Sequence, residues 1–331
     1  MRIVVVHSDH EKCGVGQYGH QLDRSLVKVP GVEGIVVCNY STLHAVDVRA
    51  DDRVLCHFEP GLVGDAVAFH GQLRAMRQKR AKIVLCCHLF EPWIGAHYAS
   101  MVDLFVLHRT YYDAPAKSVQ IPLGAPVYEP SGSREALREK FNLPSGKMIL
   151  TTVGFLTAWK RTPEVVGAVL AVAPPDVCFV RVQTPWPFDA VGASAQREED
   201  ALRSVIAPFG GLVQLSTEFM PEGDLLDLVH ASDLGFVFHG IDTGSVSAAT
   251  KQFVSARTPL VVTGSSHSSD IIQGVRRVSG FDPGGFAREV VRVAGDAPMM
   301  EKLRKGIVAE YARINMDVVA KRYVEELGRL V

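Results

Sequence analysis

The sequence predicts an α/β protein built from two doubly wound parallel sheets, and three observations carry that expectation. Short β-branched apolar runs recur along the chain, separated by helical or turn-rich stretches, which is the pattern of strands buried on both faces. A turn-rich break, Pro130 to Ser133 and then Pro144 to Gly146 around an amphipathic stretch, interrupts the alternation before it starts again. The length of 331 residues exceeds one typical domain and suffices for two cores, and two lobes ordinarily frame a cleft.

In the first half, strands are expected at Ile3–Val6, Gly34–Cys38, Arg53–His57, Lys82–Cys87, Leu104–Leu107 and Ser118–Ile121. A second set is expected at Ile149–Val153, Cys178–Val182, Val213–Leu215, Leu234–Phe238, Leu260–Thr263 and Val275–Ser279, with helices between. The last helix, Asp317 to Leu330, has no partner strand. No internal repeat or low-complexity tract occurs.

Charge is nearly balanced, with a formal net charge of −1, so no global field draws the chain to nucleic acid or an anionic membrane. The local cluster Arg74, Arg77, Lys79, Arg80 and Lys82 reads either as a solvated helix face or as a contact for an anionic acceptor. The apolar run in MRIVVVHSDH is shorter than a signal-peptide core and no window reaches membrane-spanning length, so a cytoplasmic protein without a transmembrane segment is expected. Six cysteines lie mostly in strand-like runs without paired CxxC spacing and are expected as buried free thiols. No metal site is expected, because Cys86, Cys87 and His88 are adjacent on an extended strand and alternate faces.

The densest signal lies between Asp224 and Ser265, which reads as helix, strand, glycine-containing loop, helix and strand. There the loop Gly240 to Gly244 delivers Ser245, Val246 and Ser247 to a new helix start at a strand's carboxyl end. Free backbone amides, the positive end of the helix dipole and small hydroxyls favour a bound phosphate, and an ordinary helix cap is the alternative. Gly14, Val15 and Gly16 follow the first strand. They lack the third glycine of a dinucleotide fingerprint, so they serve either a close ligand approach or a tight turn. His88 ends one strand and His57 another, with Glu59 two residues on; a strand's carboxyl end presents ligand groups, and a structural hydrogen-bonded histidine is the alternative. Gly154 opens GFLTAWKRTP, where Lys160 and Arg161 precede a helix that begins near Pro163. Two cations at a helix start suit a diphosphate.

In order and spacing these segments resemble the retaining glycosyltransferases of GT-B fold, family-four type (glycosyl transferases group 1), which include sucrose synthases and bacterial mannosyltransferases. The resemblance spans nearly the whole chain. CGVGQYGHQL is similar to the family's N-terminal glycine loop, HFEPGLVG to its HE-x-G-x-x-G segment, VLCCH to the strand ending in its site histidine, and IPLGAPV to its IPNGV segment. VGFLTAWKR, FMPEGDLLDLVHASDLGFVF and ARTPLVVT resemble successive pieces of its donor domain. YARINMDVVAKRYVEEL resembles its closing helix.

The resemblance implies a GT-B architecture of two Rossmann-like domains facing a central cleft. Residues 1–142 would bind the acceptor, residues 147–312 the nucleotide-sugar donor, and residues 313–331 would cross back to the first domain. It implies a glycosyltransferase that moves a sugar from a nucleoside diphosphate, uridine or guanosine, with retention and without metal or other cofactor. His88, Lys160, Arg161 and Asp242 would act at the reacting centre. Gly14, Val15, Gly16, Gly154, Phe219, Gly244, Ser245, Val246, Ser247 and Gln252 would surround the donor, and His57 and Glu59 would face the acceptor. The acceptor is a small molecule, a glycan, a lipid phosphate or a modified nucleic-acid base. Three departures stand out: Gly244 and Gln252 occupy the family's two glutamate positions, and Phe155 replaces its usual arginine. A catalytically silent GT-B protein that binds nucleotide or glycan, or scaffolds a partner, is the alternative, and a GT-B epimerase ranks below it.

Overall fold

The computed structural model describes residues 1–8, 13–186, 192–242 and 245–330. Strands β1 (Arg2–Val6), β2 (Gly34–Cys38), β3 (Arg53–Phe58), β4 (Lys82–Cys87), β5 (Leu104–Leu107) and β6 (Ser118–Gln120) form one sheet in the order β2-β1-β3-β4-β5-β6. Every pairing is parallel. β7 (Met148–Val153), β8 (Cys178–Gln183), β9 (Val213–Ser216), β10 (Leu234–Val237), β11 (Leu260–Thr263) and β12 (Val275–Val278) form a second parallel sheet in the order β12-β11-β10-β7-β8-β9. The β-branched runs of the inner strands are buried, with Ile3 to Val6 and Leu260 to Val262 fully inaccessible, while the edge strands β2, β9 and β12 are only partly covered.

The helices are α1 (Gly14–Leu26), α2 (Ala66–Gln78), α3 (Pro92–Tyr98), α4 (Arg134–Lys140), α5 (Thr162–Val172), α6 (Gly192–Ile206), α7 (Glu222–Ala231), α8 (Ala248–Ser255), α9 (Pro283–Ala294), α10 (Ala297–Ile314) and α11 (Met316–Gly328). Side chains of Asp65, Ser133, Asp282 and Asn315 cap α2, α4, α9 and α11 by accepting backbone N–H groups. The helices that start after β1, β7 and β10, namely α1, α5 and α8, have no such side-chain cap.

α3 and α7 lack a side-chain cap too, but α1 and α5 follow the strands at the topological switch points. β1 pairs with both β2 and β3, and β7 with both β8 and β10, so successive connections leave these strands in opposite directions and open a crevice at their carboxyl ends.

The chain divides into two compact units: Met1–Gly124, Gly244–Val246 and Ile314–Val331 in one, Ala125–Thr243 and Ser247–Arg313 in the other. The change at Gly124 falls earlier than the break at 142–147 that the sequence suggests. The reason is α4, which packs Leu137 into the same cluster as Leu228 and Ala231 of α7. Arg138 Nη2 also pairs with Asp233 at 2.6 Å, and Lys140 Nζ with Asp224 at 2.7 Å. In the first unit, α11 packs along α1, and Arg53 donates to the carbonyls of Leu327 and Leu330.

Candidate active site

In the second unit the chain leaves β7 at Gly154, whose φ of +117° suits glycine. A Cβ there would lie 2.9 Å from Lys160 Nζ, so glycine lets the lysine fold back over the strand end. Lys160 Nζ donates to the Phe155 carbonyl at 2.9 Å and forms no ion pair among the described residues. Burial pushes its pKa down to about 8. Gly154, Lys160, Thr162, Thr184 and Phe236 line one small pocket.

At this end of the second unit several buried polar atoms are unspent. Thr157 Oγ1 after β7, Thr184 Oγ1 after β8, both ring nitrogens of His239 after β10, Ser265 Oγ after β11 and Gln252 Oε1 on α8 all lack a hydrogen-bond partner. Buried polar atoms are normally satisfied. Four of the orphaned side chains follow strand ends at the carboxyl edge of this sheet and the fifth, Gln252, lies on α8; Thr184 lines the pocket with Lys160. The rings of Trp159, His239 and His267 lie nearly parallel, with centroids 4.3 to 5.4 Å apart, and burial beside His267 holds His239 neutral.

Other expected residues take more structural places. Arg161 adopts a left-handed conformation at φ +50° and spends its guanidinium on Glu164 at 3.1 Å and the Phe281 carbonyl at 3.3 Å. Gly240 packs under it, since a Cβ there would meet Arg161 Cδ at 2.8 Å and the Trp159 carbonyl at 2.9 Å. Asp242 accepts from the Ser266 amide at 3.2 Å and from the Ser266 hydroxyl, tying the β10 loop to the β11 loop. Ser247 begins α8 and donates its amide to the His267 carbonyl at 2.8 Å. Ser245 forms an isolated bridge with Leu89 in the first unit, Val246 follows it, and Gly244 lies outside the described residues. Phe219 follows β9 and is half-buried, outside the pocket lining.

In the first unit, four neighbouring strands each bring a histidine to the carboxyl edge: His7 after β1, His57 on β3, His88 after β4 and His108 after β5. Successive ring centroids are 6.1, 5.4 and 5.0 Å apart, and Tyr18 of α1 packs edge-on against His57, His88 and His108. Burial and the adjacent imidazoles hold His57 and His88 well below the ordinary histidine range, so both are neutral. Glu59 follows β3, half-buried, and its carbonyl accepts from Leu62. Gly14, Val15 and Gly16 are the first turn of α1 and not the loop the sequence suggested. The close backbone approach instead falls at Gly19, where a Cβ would lie 2.5 Å from the His7 ring.

The geometric argument against metal ligands needs correction. Cys87 does point away, but Cys86 and His88 are two residues apart on one face and meet His57 from the neighbouring strand, so three ligand atoms converge within 4.8 Å. Sequence reasoning also missed His7, His108, His239 and Trp159. The rule that singled out His57 and His88, a histidine closing a strand, applies equally to the other three histidines.

No protein-family model and no curated protein matches the sequence. Solved structures do. The chain resembles HepE of Anabaena, solved with UDP and glucose, at TM-score 0.74 and 12% identity, with 100% of each chain covered. It resembles a glycosyltransferase of Rickettsia africae at TM-score 0.74 and 12% identity, covering 99% of this chain and 98% of that one. It also resembles an α,α-trehalose-phosphate synthase (UDP-forming) of Burkholderia xenovorans, solved with glucose-6-phosphate, at TM-score 0.71 and 12% identity over 99% and 100% of the two chains. The fold is GT-B. Within GT-B, the orphaned polar atoms fall at the switch point of the second Rossmann-like sheet. No helix among the described residues is long and apolar enough to cross a membrane.

Proposed function

We propose that this GT-B chain is a glycosyltransferase whose second unit binds the diphosphate of a uridine or guanosine diphosphate sugar, with transfer that retains configuration and needs no metal at the diphosphate. The observation that carries the proposal is Lys160: a largely desolvated cation without a carboxylate, at a switch point, among unspent hydroxyl, amide and imidazole groups. An incoming diphosphate supplies the missing charge. As the anomeric bond breaks, negative charge accumulates on the leaving diphosphate, and a fixed ammonium stabilises that state more than the ground state. The uncapped starts of α5 and α8 add backbone amides and dipole. Gln252, with a buried unpartnered Oε1, suits a ribose hydroxyl.

The structural likeness supports this reading, since HepE was solved with UDP and glucose. For the first unit the proposal keeps His88 as a sugar contact, with a neutral imidazole that donates one hydrogen bond and accepts another. His57 and Glu59 remain acceptor-side groups. Arg161 and Asp242 support the loops that carry Lys160 and α8.

The test is release of nucleoside diphosphate from UDP-glucose and GDP-mannose over a panel of acceptors. The wild type should turn over one donor, and Lys160→Ala should lower that rate about 100-fold or more. Nucleotide binding without turnover would make the chain a catalytically silent GT-B protein instead.

A further inference from the structure

The carboxyl edge of the first sheet gathers more metal-ligand atoms than sugar transfer needs. We propose that His57, Cys86 and His88 form a binding site for one borderline-soft divalent cation of the zinc class. The backbone fixes the arrangement: His57 and Cys86 are register partners on β3 and β4, and His88 is two residues past Cys86 on the same face, its amide donating to the Phe58 carbonyl at 3.0 Å. His57 Nδ1 lies 3.2 Å from His88 Nε2, and Cys86 Sγ lies 3.9 Å from that same nitrogen. Zinc bonds of ~2.05 Å to nitrogen and ~2.3 Å to sulfur, at tetrahedral angles, require nitrogen pairs roughly 3.4 Å apart and nitrogen–sulfur pairs roughly 3.6 Å apart. The nitrogen pair is about 0.2 Å too close and the nitrogen–sulfur pair about 0.3 Å too far, so for these two pairs side-chain shifts of a few tenths of an ångström suffice.

Tautomers and access agree with this assignment. His57 Nδ1 and His88 Nε2 lie at hydrogen-bond distance in the ion-free protein, one donating to the other, and an ion between them takes both lone pairs, with the His57 ring proton held on its otherwise unpartnered Nε2. His108 Nδ1 lies 3.0 Å from the Ile121 carbonyl and takes the proton there, which turns the Nε2 lone pair towards Cys86 Sγ at 3.5 Å. His57 and Cys86 are fully buried while His88 is half-buried, which gives an ion its way in. Among the described residues a second group, His7, His20 and Asp23, is already engaged, with His7 bonded at 2.9 Å to Asp23 and at 2.9 Å to the Ser8 carbonyl, whereas the Tyr323 hydroxyl, 3.0 Å from Cys86 Sγ, can donate to a metal-bound thiolate. A thiolate with two imidazoles selects zinc over magnesium or calcium. Binding exchanges the Cys86 thiol proton, released to solvent, for the ion, with no change of oxidation state. Resting on the reading of His88 as a sugar contact, occupancy takes His88 Nε2 away from the sugar and inhibits transfer while nucleotide binding through Lys160 continues.

The test titrates the chelator-treated full chain with Co²⁺. The expected result is one equivalent bound with a near-ultraviolet thiolate-to-cobalt absorption, displaced by Zn²⁺ and lost in Cys86→Ser, while His57→Ala weakens Zn²⁺ binding at least tenfold. Cys86→Ser should keep wild-type nucleotide affinity, which shows that it folds. Absence of the absorption in the wild type, or its persistence in Cys86→Ser, overturns the site. An intact cobalt signature combined with transfer unaffected by saturating Zn²⁺ supports the site and removes His88 from the sugar.

Discussion

An ammonium group that loses most of its water at position 160 without gaining a carboxylate destabilises the ligand-free protein, and its pKa of about 8 reflects that loss. An unfolded lysine titrates near about 10.4, so below pH 8 both states are charged and the whole desolvation cost is present. As pH rises from 8 towards about 10.4 the folded lysine releases its proton first and the cost fades. Lys160→Met should therefore raise the melting temperature at pH 7 by roughly 2 °C or more, with the gain shrinking towards pH 10, as scanning calorimetry can record. A diphosphate needs the charged form, so nucleotide affinity should be level between pH 7 and 8 and weaken above it, and the Met variant should lack that slope; an unchanged profile would remove Lys160 from the site. That Lys160 lies at a helix start and His88 beyond a strand was readable from composition, whereas Gln252 came only from the family resemblance. The near-parallel packing of Trp159, His239 and His267 was not legible, since it depends on which strands become neighbours.

At the scale of elements, β-branched runs located all twelve strands, with ends displaced by one or two residues where a terminal bond forms or fails; β3, for example, extends to Phe58. The start of α1 was harder to place. Two glycines suggested a loop, yet helix begins at Gly14, because a glycine in a first turn costs little when α1 buries Val15, Tyr18 and Leu22. Substitutions distinguish the two accounts. Gly14→Ala meets no atom within 4 Å and should leave stability unchanged or improve it by up to about 1 kcal/mol. Gly19→Ala drives a methyl into the His7 ring and should cost about 1–3 kcal/mol by urea denaturation. Equal effects would contradict the helical register.

For the whole molecule, the order of weak motifs identified the GT-B fold where overall identity to the solved structures is 12%. The boundary between units was not legible, because Pro130 to Gly146 looks like a linker, while the anchors of α4 (Asp224, Asp227 and Asp233) lie some 90 residues downstream. A fragment of residues 125–313 should consequently melt cooperatively, and one of residues 147–312, stripped of α4, should melt lower or fail to fold. With Gly244 and Gln252 where the resembled family has glutamates, Lys160 and the helix starts are the groups on which the proposed diphosphate site rests. The most direct test is calorimetric titration of wild type and Lys160→Ala with UDP and GDP. One nucleotide should bind at a single site and weaken roughly 30-fold or more in the variant. Silence with every nucleoside diphosphate, or equal affinity in both proteins, would contradict a diphosphate site at the carboxyl edge of the second sheet.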